Sequence, residues 1–146
     1  MTNFSFHIRR GSIEEAVALS RQLPEFAGPH GEAEYHRRLD HCRHLVLIAY
    51  KDTQAIGFKV GYEREDYFYS WMGGVLPAYR QRGVAAALAR EQQDWARAEG
   101  FTAVQFKTRN RLKAMLLFGL RSGFDIIGFE PREQACEHRI LLRKPL

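Results

Sequence analysis

VLPAYRQRGVAAAL, residues 75–88, runs from an apolar segment ending in proline, through arginines clustered around one glycine, into an alanine-rich helix. The first backbone N–H groups of a helix lack partners and carry a partial positive charge. Gly83 leaves nothing between those donors and an incoming anion. Arg80, Gln81 and Arg82 add charge and donors, and Ala85 and Ala86 keep the first turn slim. The stretch reads as a pyrophosphate site at a strand-to-helix turn. A plain helix start is the other reading of the turn taken alone. Neither the P-loop pattern nor the Gly-x-Gly-x-x-Gly dinucleotide fingerprint is present.

Outward from that junction the chain divides into regular elements with no repeat or low-complexity linker, so residues 1–146 are expected to form one domain. Phe4, Phe6 and Ile8 alternate with polar residues as a half-buried strand. Ser12 and Glu15 form a capping box for a helix carrying Ile13, Ala16, Val17 and Ser20, which Leu23-Pro24 stops. Pro24, Gly28, Pro29 and Gly31 mark a loop, and a polar helix is expected from Glu32 to about Cys42. Leu45–Tyr50, Ala55–Tyr62 and Tyr67–Val75 read as three strands of an antiparallel meander. After the Gly83 turn, Val84, Ala87, Leu88 and Trp95 lie on one helical stripe that Gly100 ends. Phe101–Lys107 is strand-like, and its connection through that helix implies a parallel pair. Leu112, Met115, Leu116 and Leu120 make a last amphipathic helix stopped at Gly123-Phe124, with closing strands near Asp125–Phe129 and His138–Leu142. The order β-α-α-β-β-β-α-β-α-β-β specifies an α/β fold with a mixed, mostly antiparallel sheet.

Composition narrows the function classes. The chain is 45% hydrophobic and 27% charged, as ordinary globular domains are. No apolar run approaches the roughly 20 residues of a membrane span, so no membrane partner is expected. MTNFSFHIRR carries no apolar signal core, and Cys42 and Cys136 are too few for a disulfide framework. A cytoplasmic location is expected. The net charge of +5 invites a nucleic-acid or phosphate partner, but the basic residues are dispersed, without a basic tail or zinc-finger spacing. Nucleic acid is not expected as a partner. His36, His41, Cys42 and His44 fit no standard zinc spacing, and no metal is expected.

The Arg80-x-x-Gly83-x-Ala85 pattern, preceded by Val75-Leu76-Pro77, resembles the acetyl-CoA signature of the GNAT superfamily of N-acyltransferases. A second element agrees with it: Asn110, then Ala114-Met115 on a helix ending in Gly123-Phe124, is similar to the family's Asn…Gly-Phe element. The resemblance covers nearly the whole chain and implies a splayed central parallel strand pair with flanking helices. It implies acetyl-CoA as co-substrate, bound through Val75, Leu76, Arg80, Gln81, Arg82, Gly83, Val84, Ala85 and Asn110. It also implies direct attack by a primary amine of a small molecule or peptide, with no metal and no covalent intermediate. A second copy of the chain is admitted as a partner.

By the same analogy the Val75 N–H polarises the thioester carbonyl, with Gly73-Gly74 permitting the bulge that frees it. Glu63 and Glu65, with Asp66, are the carboxylates nearest in sequence to the reactive strand and are candidate bases acting through water. They are equally what a strand-connecting turn carries. Tyr69 and Trp71 shape the pocket, and His36 or Arg37 is expected to touch the acceptor. Many family members place a tyrosine four residues before the Gly-Phe pair; here that position is Gly119, and no hydroxyl stands there. The missing acid motivates an alternative function, a non-catalytic acyl-CoA-binding module.

Overall fold

The strands follow from β-branched and aromatic runs broken by turn residues. In the computed structural model, which describes residues 4–146, the first strand is β1 (His7–Arg10). Phe4 and Phe6 precede it rather than belong to it, and pack with Ile8 against the core. Helix α1 (Ile13–Ser20) starts as its sequence dictates: Ser12 Oγ accepts from the Glu15 N–H at 3.1 Å, and the Glu15 carboxylate accepts from the Ser12 N–H at 2.9 Å. Helix α2 (Glu32–Leu39) ends before Cys42, because the chain must turn to enter the next strand at His44.

Strands β2 (His44–Lys51), β3 (Gln54–Arg64) and β4 (Tyr67–Val75) pair antiparallel with one another, and β1 adds to β2. A short 3-10 turn at Pro77–Tyr79 leads to α3 (Val84–Ala98). Then come β5 (Ala103–Arg109), α4 (Lys113–Arg121), β6 (Asp125–Glu130) and β7 (Arg139–Pro145). The element order matches the sequence reading. The seven strands lie in the order β1-β2-β3-β4-β5-β7-β6, with β4–β5 the parallel pair.

One face of the sheet packs on α1 and α2 through Val17, Tyr35, Leu39, Ile48 and Phe58. The other face packs on α3 and α4 through Leu47, Phe68, Leu88, Phe106 and Leu142. Each such side chain contributes about 1.5–3 kcal/mol by leaving water. Helix α4 sits differently from its expected stripe: Gly119 is its buried residue, and Leu120 is 46% exposed. The glycine lets the helix lie directly on Phe106, which rotates Leu120 outward. Gly123, at φ +92°, then stops the helix, and the Phe124 N–H closes on the Gly119 C=O at 3.0 Å. Among the described residues no helix is long and apolar enough to cross a membrane.

The sheet is forked at its centre. β4 and β5 pair only at Phe68↔Val104 and Tyr69↔Gln105, whereas β5 stays paired with β7 along its whole length. Ser70 faces Gly61 and Met72 faces Val60, so Trp71 is left without a partner on β3. That extra residue bends β4 away from β5. The bulge was expected at Gly73-Gly74, but those two pair in register with Lys59 and Phe58. Gly74 is small for another reason: a Cβ there would collide with Leu23.

Candidate functional site

Past the fork, β4 offers backbone groups with no neighbouring strand. The Leu76 N–H donates to the Ile56 C=O at 2.8 Å, which fixes the antiparallel alternation. In that alternation the N–H groups of Gly73 and Val75 point away from β3, into the gap. The Val75 C=O is held by Arg80 Nε at 2.8 Å. Leu76, expected beside Val75 at the cofactor, spends its N–H on Ile56 and buries its side chain on the α1/α2 face.

The turn above the gap follows from its two left-handed residues, Gln81 at φ +60° and Gly83 at φ +85°. Together they lift the chain out of the 3-10 turn and start α3. The Ala87 N–H makes a bond to the Gly83 C=O at 3.0 Å. The N–H groups of Val84, Ala85 and Ala86 therefore have no acceptor within the helix, and among the described residues no side chain caps it. Arg80, Gln81, Arg82, Gly83 and Ala85 are exposed around these donors. Space beside Gly83 is open, with nothing within 4 Å of a Cβ position. Arg82 lies over the Phe4 ring at 4.9 Å, whereas Arg80 is committed to Glu25 at 2.8 Å and braces the turn. Val84 is buried beside Gly57 and offers the site its N–H alone. The arrangement suits the phosphates of a ligand whose extended arm runs down the free edge of β4.

The structure places the predicted bases away from this mouth, and Asn110 across the gap at the end of β5, which runs parallel to β4. Asn110, at the end of β5, donates to the Ala135 C=O at 3.1 Å and accepts from Lys113 at 3.0 Å, pinning the β6–β7 connection. Glu63 pairs with Arg43 at 2.9 Å, which holds its carboxyl below the usual range. Glu65 lies in the β3–β4 turn, outside both strands. Both belong to the closed end of β4, roughly 20–30 Å from Val75 at the rise of a strand.

On the α1/α2 face, the bulge residue Trp71 lies in an aromatic box with Tyr35 at 4.7 Å, His30 at 5.5 Å and Tyr62 at 5.9 Å. The Arg38 guanidinium covers Trp71 at 4.5 Å and donates to the Tyr62 hydroxyl at 2.8 Å. Arg38 and Arg37 together hold the Glu34 carboxyl down at about 2. Burial pushes the Tyr35 hydroxyl up to about 12; it sits beside Ser20 without a well-formed hydrogen bond. Arg37 and His36, expected to reach the acceptor, are exposed and paired with Glu34 and Asp40. Arg38, one residue on, is the one aimed at β4. His44 Nδ1 lies 3.0 Å from the Cys42 C=O, and the Cys42 thiol donates to the Arg38 C=O.

Two charged residues that sequence reasoning passed over stand beside the open strand. The Glu25 carboxylate lies 3.3 Å from where a Gly74 Cβ would be, on the α1/α2 face. Its sequence context, a loop rich in proline and glycine, carries no signal of this approach. Lys59 stands across from Gly73 on β3. Its signal was legible: it is the one charge within the apolar run AIGFKVGY.

A forked α/β sheet with unpaired helix N–H groups above the gap makes an open cleft of a shape suited to an extended, phosphorylated ligand. The family model for the acetyltransferase (GNAT) family matches residues 14–124, and the chain belongs to that family. The fold recurs in the ribosomal-protein-S18-alanine N-acetyltransferase from Escherichia coli, at 17% identity and a TM-score of 0.82 over 97% of this chain and 94% of that one. It recurs in the PaiA N-acetyltransferase from Thermoplasma acidophilum in complex with coenzyme A, at 18% identity and 0.75 over 97% and 99%. A streptothricin acetyltransferase homologue from Bacillus anthracis, in complex with acetyl coenzyme A, is 25% identical, with a TM-score of 0.69 over 77% of this chain and 68% of that one. No curated protein matches the chain.

Proposed function

We propose that this protein transfers the acetyl group of acetyl-CoA to a primary amine of a small molecule or peptide, by direct attack in the forked cleft. The observation that carries the reading is the conjunction of free β4 N–H groups with the uncapped start of α3. Pyrophosphate binds the N–H groups from Gly83 to Ala86, with Arg82 adding charge. The pantetheine arm lies along β4 as an added strand. The Val75 N–H donates to the thioester oxygen, and this bond strengthens as that oxygen becomes an oxyanion.

The acceptor enters from the α1/α2 face, where the aromatic box borders the bulge. Its nitrogen attacks the carbonyl carbon, the C–S bond breaks, and the electron pair leaves on sulfur. Glu63 and Glu65 stand too far down β4 to meet that nitrogen directly. Glu25 takes the place of the base in this proposal, receiving the proton of the incoming amine through water. Leu76 supports the cleft through Ile56 rather than through the ligand, and Asn110, tied to Ala135, borders it from the end of β5.

Acetyl-CoA at about 100 times its dissociation constant should stabilise the fold by roughly 2.7 kcal/mol. For a chain of this size that corresponds to about 5–10 °C in Tm. A melt unchanged by millimolar acetyl-CoA overturns the binding site. Release of free CoA across a panel of amines separates transfer from acyl-CoA binding without turnover, and identifies the acceptor.

A further inference from the structure

Gly119 offers no hydroxyl for the departing sulfur, and a side chain there would not reach it. A Cβ at that position lies 2.7 Å from Phe106 Cζ and 3.3 Å from Leu142, so any side chain would be driven into the core. The Tyr79 hydroxyl is taken by Gln54 at 2.9 Å. Lys59 is placed differently. Gly73, opposite it, has no side chain, and Lys59 Cγ lies 3.5 Å from where a Gly73 Cβ would stand. The lysine therefore passes beside the stretch of β4 whose N–H groups face the gap. It enters a crevice of about 10 Å³, shared with Ser70, Ala89, Gln92 and Phe106, at the inner end of the groove between α3 and α4.

Among the described residues no anion meets the Lys59 ammonium in that crevice, whose side-chain acceptors are the neutral oxygens of Ser70, Gln92 and Gln93. Gln92 is 1% exposed, and its Nε2 has no hydrogen-bond partner among the described residues. β4 contributes Ser70, β5 Phe106, and α4 Met115 and Phe118, none of them charged. The charges at the outer mouth of the groove, Arg90 and Lys144, are both cationic, and Lys144 is engaged by Gln93 at 2.9 Å. Burial without an anion holds the Lys59 ammonium down at about 8, close to a thiol of about 8.5. A crevice that holds a cation without an anion, beside an unpaired amide N–H, suits an electron-rich atom at its mouth.

We propose that Lys59 is the proton donor to the departing sulfur of CoA, with the Gln92 amide as a second donor; this rests on the acyl-transfer reading above. As the acceptor nitrogen bonds to the carbonyl carbon, the C–S bond breaks and its electron pair stays on sulfur. The Lys59 ammonium gives a proton to that sulfur, leaving CoA as the thiol and Lys59 neutral. Lys59 recovers a proton from solvent before the next turnover, while the proton lost by the amine leaves on the other face of the sheet.

The test needs no acceptor at its first stage. Bound CoA is titrated by the ultraviolet absorbance of its thiolate, in the native protein and in Lys59→Met. An ammonium beside the sulfur makes the bound thiol ionise at least about tenfold more readily in the native protein. Equal ionisation in the two proteins overturns the proposal while leaving the acyl-transfer reading intact; failure of CoA to bind removes both. In turnover, native kcat/KM should fall above pH ~8, and Lys59→Met should lose that limb and about 10²–10⁴ in rate. Lys59→Arg keeps the charge but cannot release a proton, so it should be as slow as Lys59→Met. Native turnover by Lys59→Arg reduces Lys59 to a fixed charge and overturns its role as donor.

Discussion

The two ends of β4 are built from one strand and do opposite things. From Tyr67 to Ser70 it is closed: Phe68 and Tyr69 pair with β5, and Phe68 is fully buried between Trp95 and Phe101. From Trp71 to Val75 it is open: β5 has diverged, and the N–H groups of Gly73 and Val75 face the gap. The closed end has large aromatic side chains and satisfied backbone. The open end has two glycines, a bulge and unsatisfied backbone. Buried apolar area is concentrated where side chains are large, and free backbone hydrogen-bonding groups where they are absent.

The largest effect should come from the closed end. Phe68→Ala removes a fully buried ring and should cost about 3–5 kcal/mol in denaturant unfolding. Acetyl-CoA affinity, measured where the variant remains folded, should change by less than about threefold. A variant that loses affinity and stability together would show that the two ends are not separable.

Gly83→Val should do the reverse. A branched side chain at φ +85° is strained, and it occupies the open space beside the α3 donors. Loss of acetyl-CoA affinity by at least about 100-fold, roughly 2.7 kcal/mol, is expected in calorimetry. The strain itself should cost only about 1–2 kcal/mol of stability.

A smaller effect sharpens the contrast at Lys59. Its ammonium sits at about 8 in the folded protein against 10.5 in an unperturbed side chain, so the unfolded chain binds more protons between those values. Stability should therefore rise with pH across roughly 8 to 10.5, and the cost of the buried cation is fully present below pH 8. Because the side chain is only half-buried, that cost is about 1–3 kcal/mol. Lys59→Met should stabilise the protein by this amount at pH 7, with the gain shrinking toward pH 10.5. A gain that does not vary with pH would mean that the cation is not the cause.

The elements that could be read from the chain are those set by near neighbours. The Ser12–Glu15 box, the Gly123 stop and the Gly83 turn each depend on residues within a few positions, so their pattern is visible in one dimension. The order of strands and helices follows from the same short-range periodicities. The open edge of β4 was legible through the family pattern, but the position of its bulge was not, because Trp71 bulges relative to β3 and no local pattern records a partner strand's register.

Carboxylates near in sequence made Glu63 and Glu65 the natural candidate bases, yet an antiparallel hairpin carries its turn to the far end of the strand. Glu25, some fifty residues from Gly74 in sequence, reaches the open end because the α1–α2 loop folds over it and Arg80 holds it there. Arg38 rather than Arg37 faces Trp71 because a helix turns by about 100° per residue, so one position decides which face a side chain takes. The sequence by itself determined the elements, their order, the helix caps and the Gly83 turn, since each rests on contacts a few residues long. Only the tertiary structure decided where the strand opens, which carboxylate stands beside it and which cation is left without a partner, because those depend on groups brought together across the sheet.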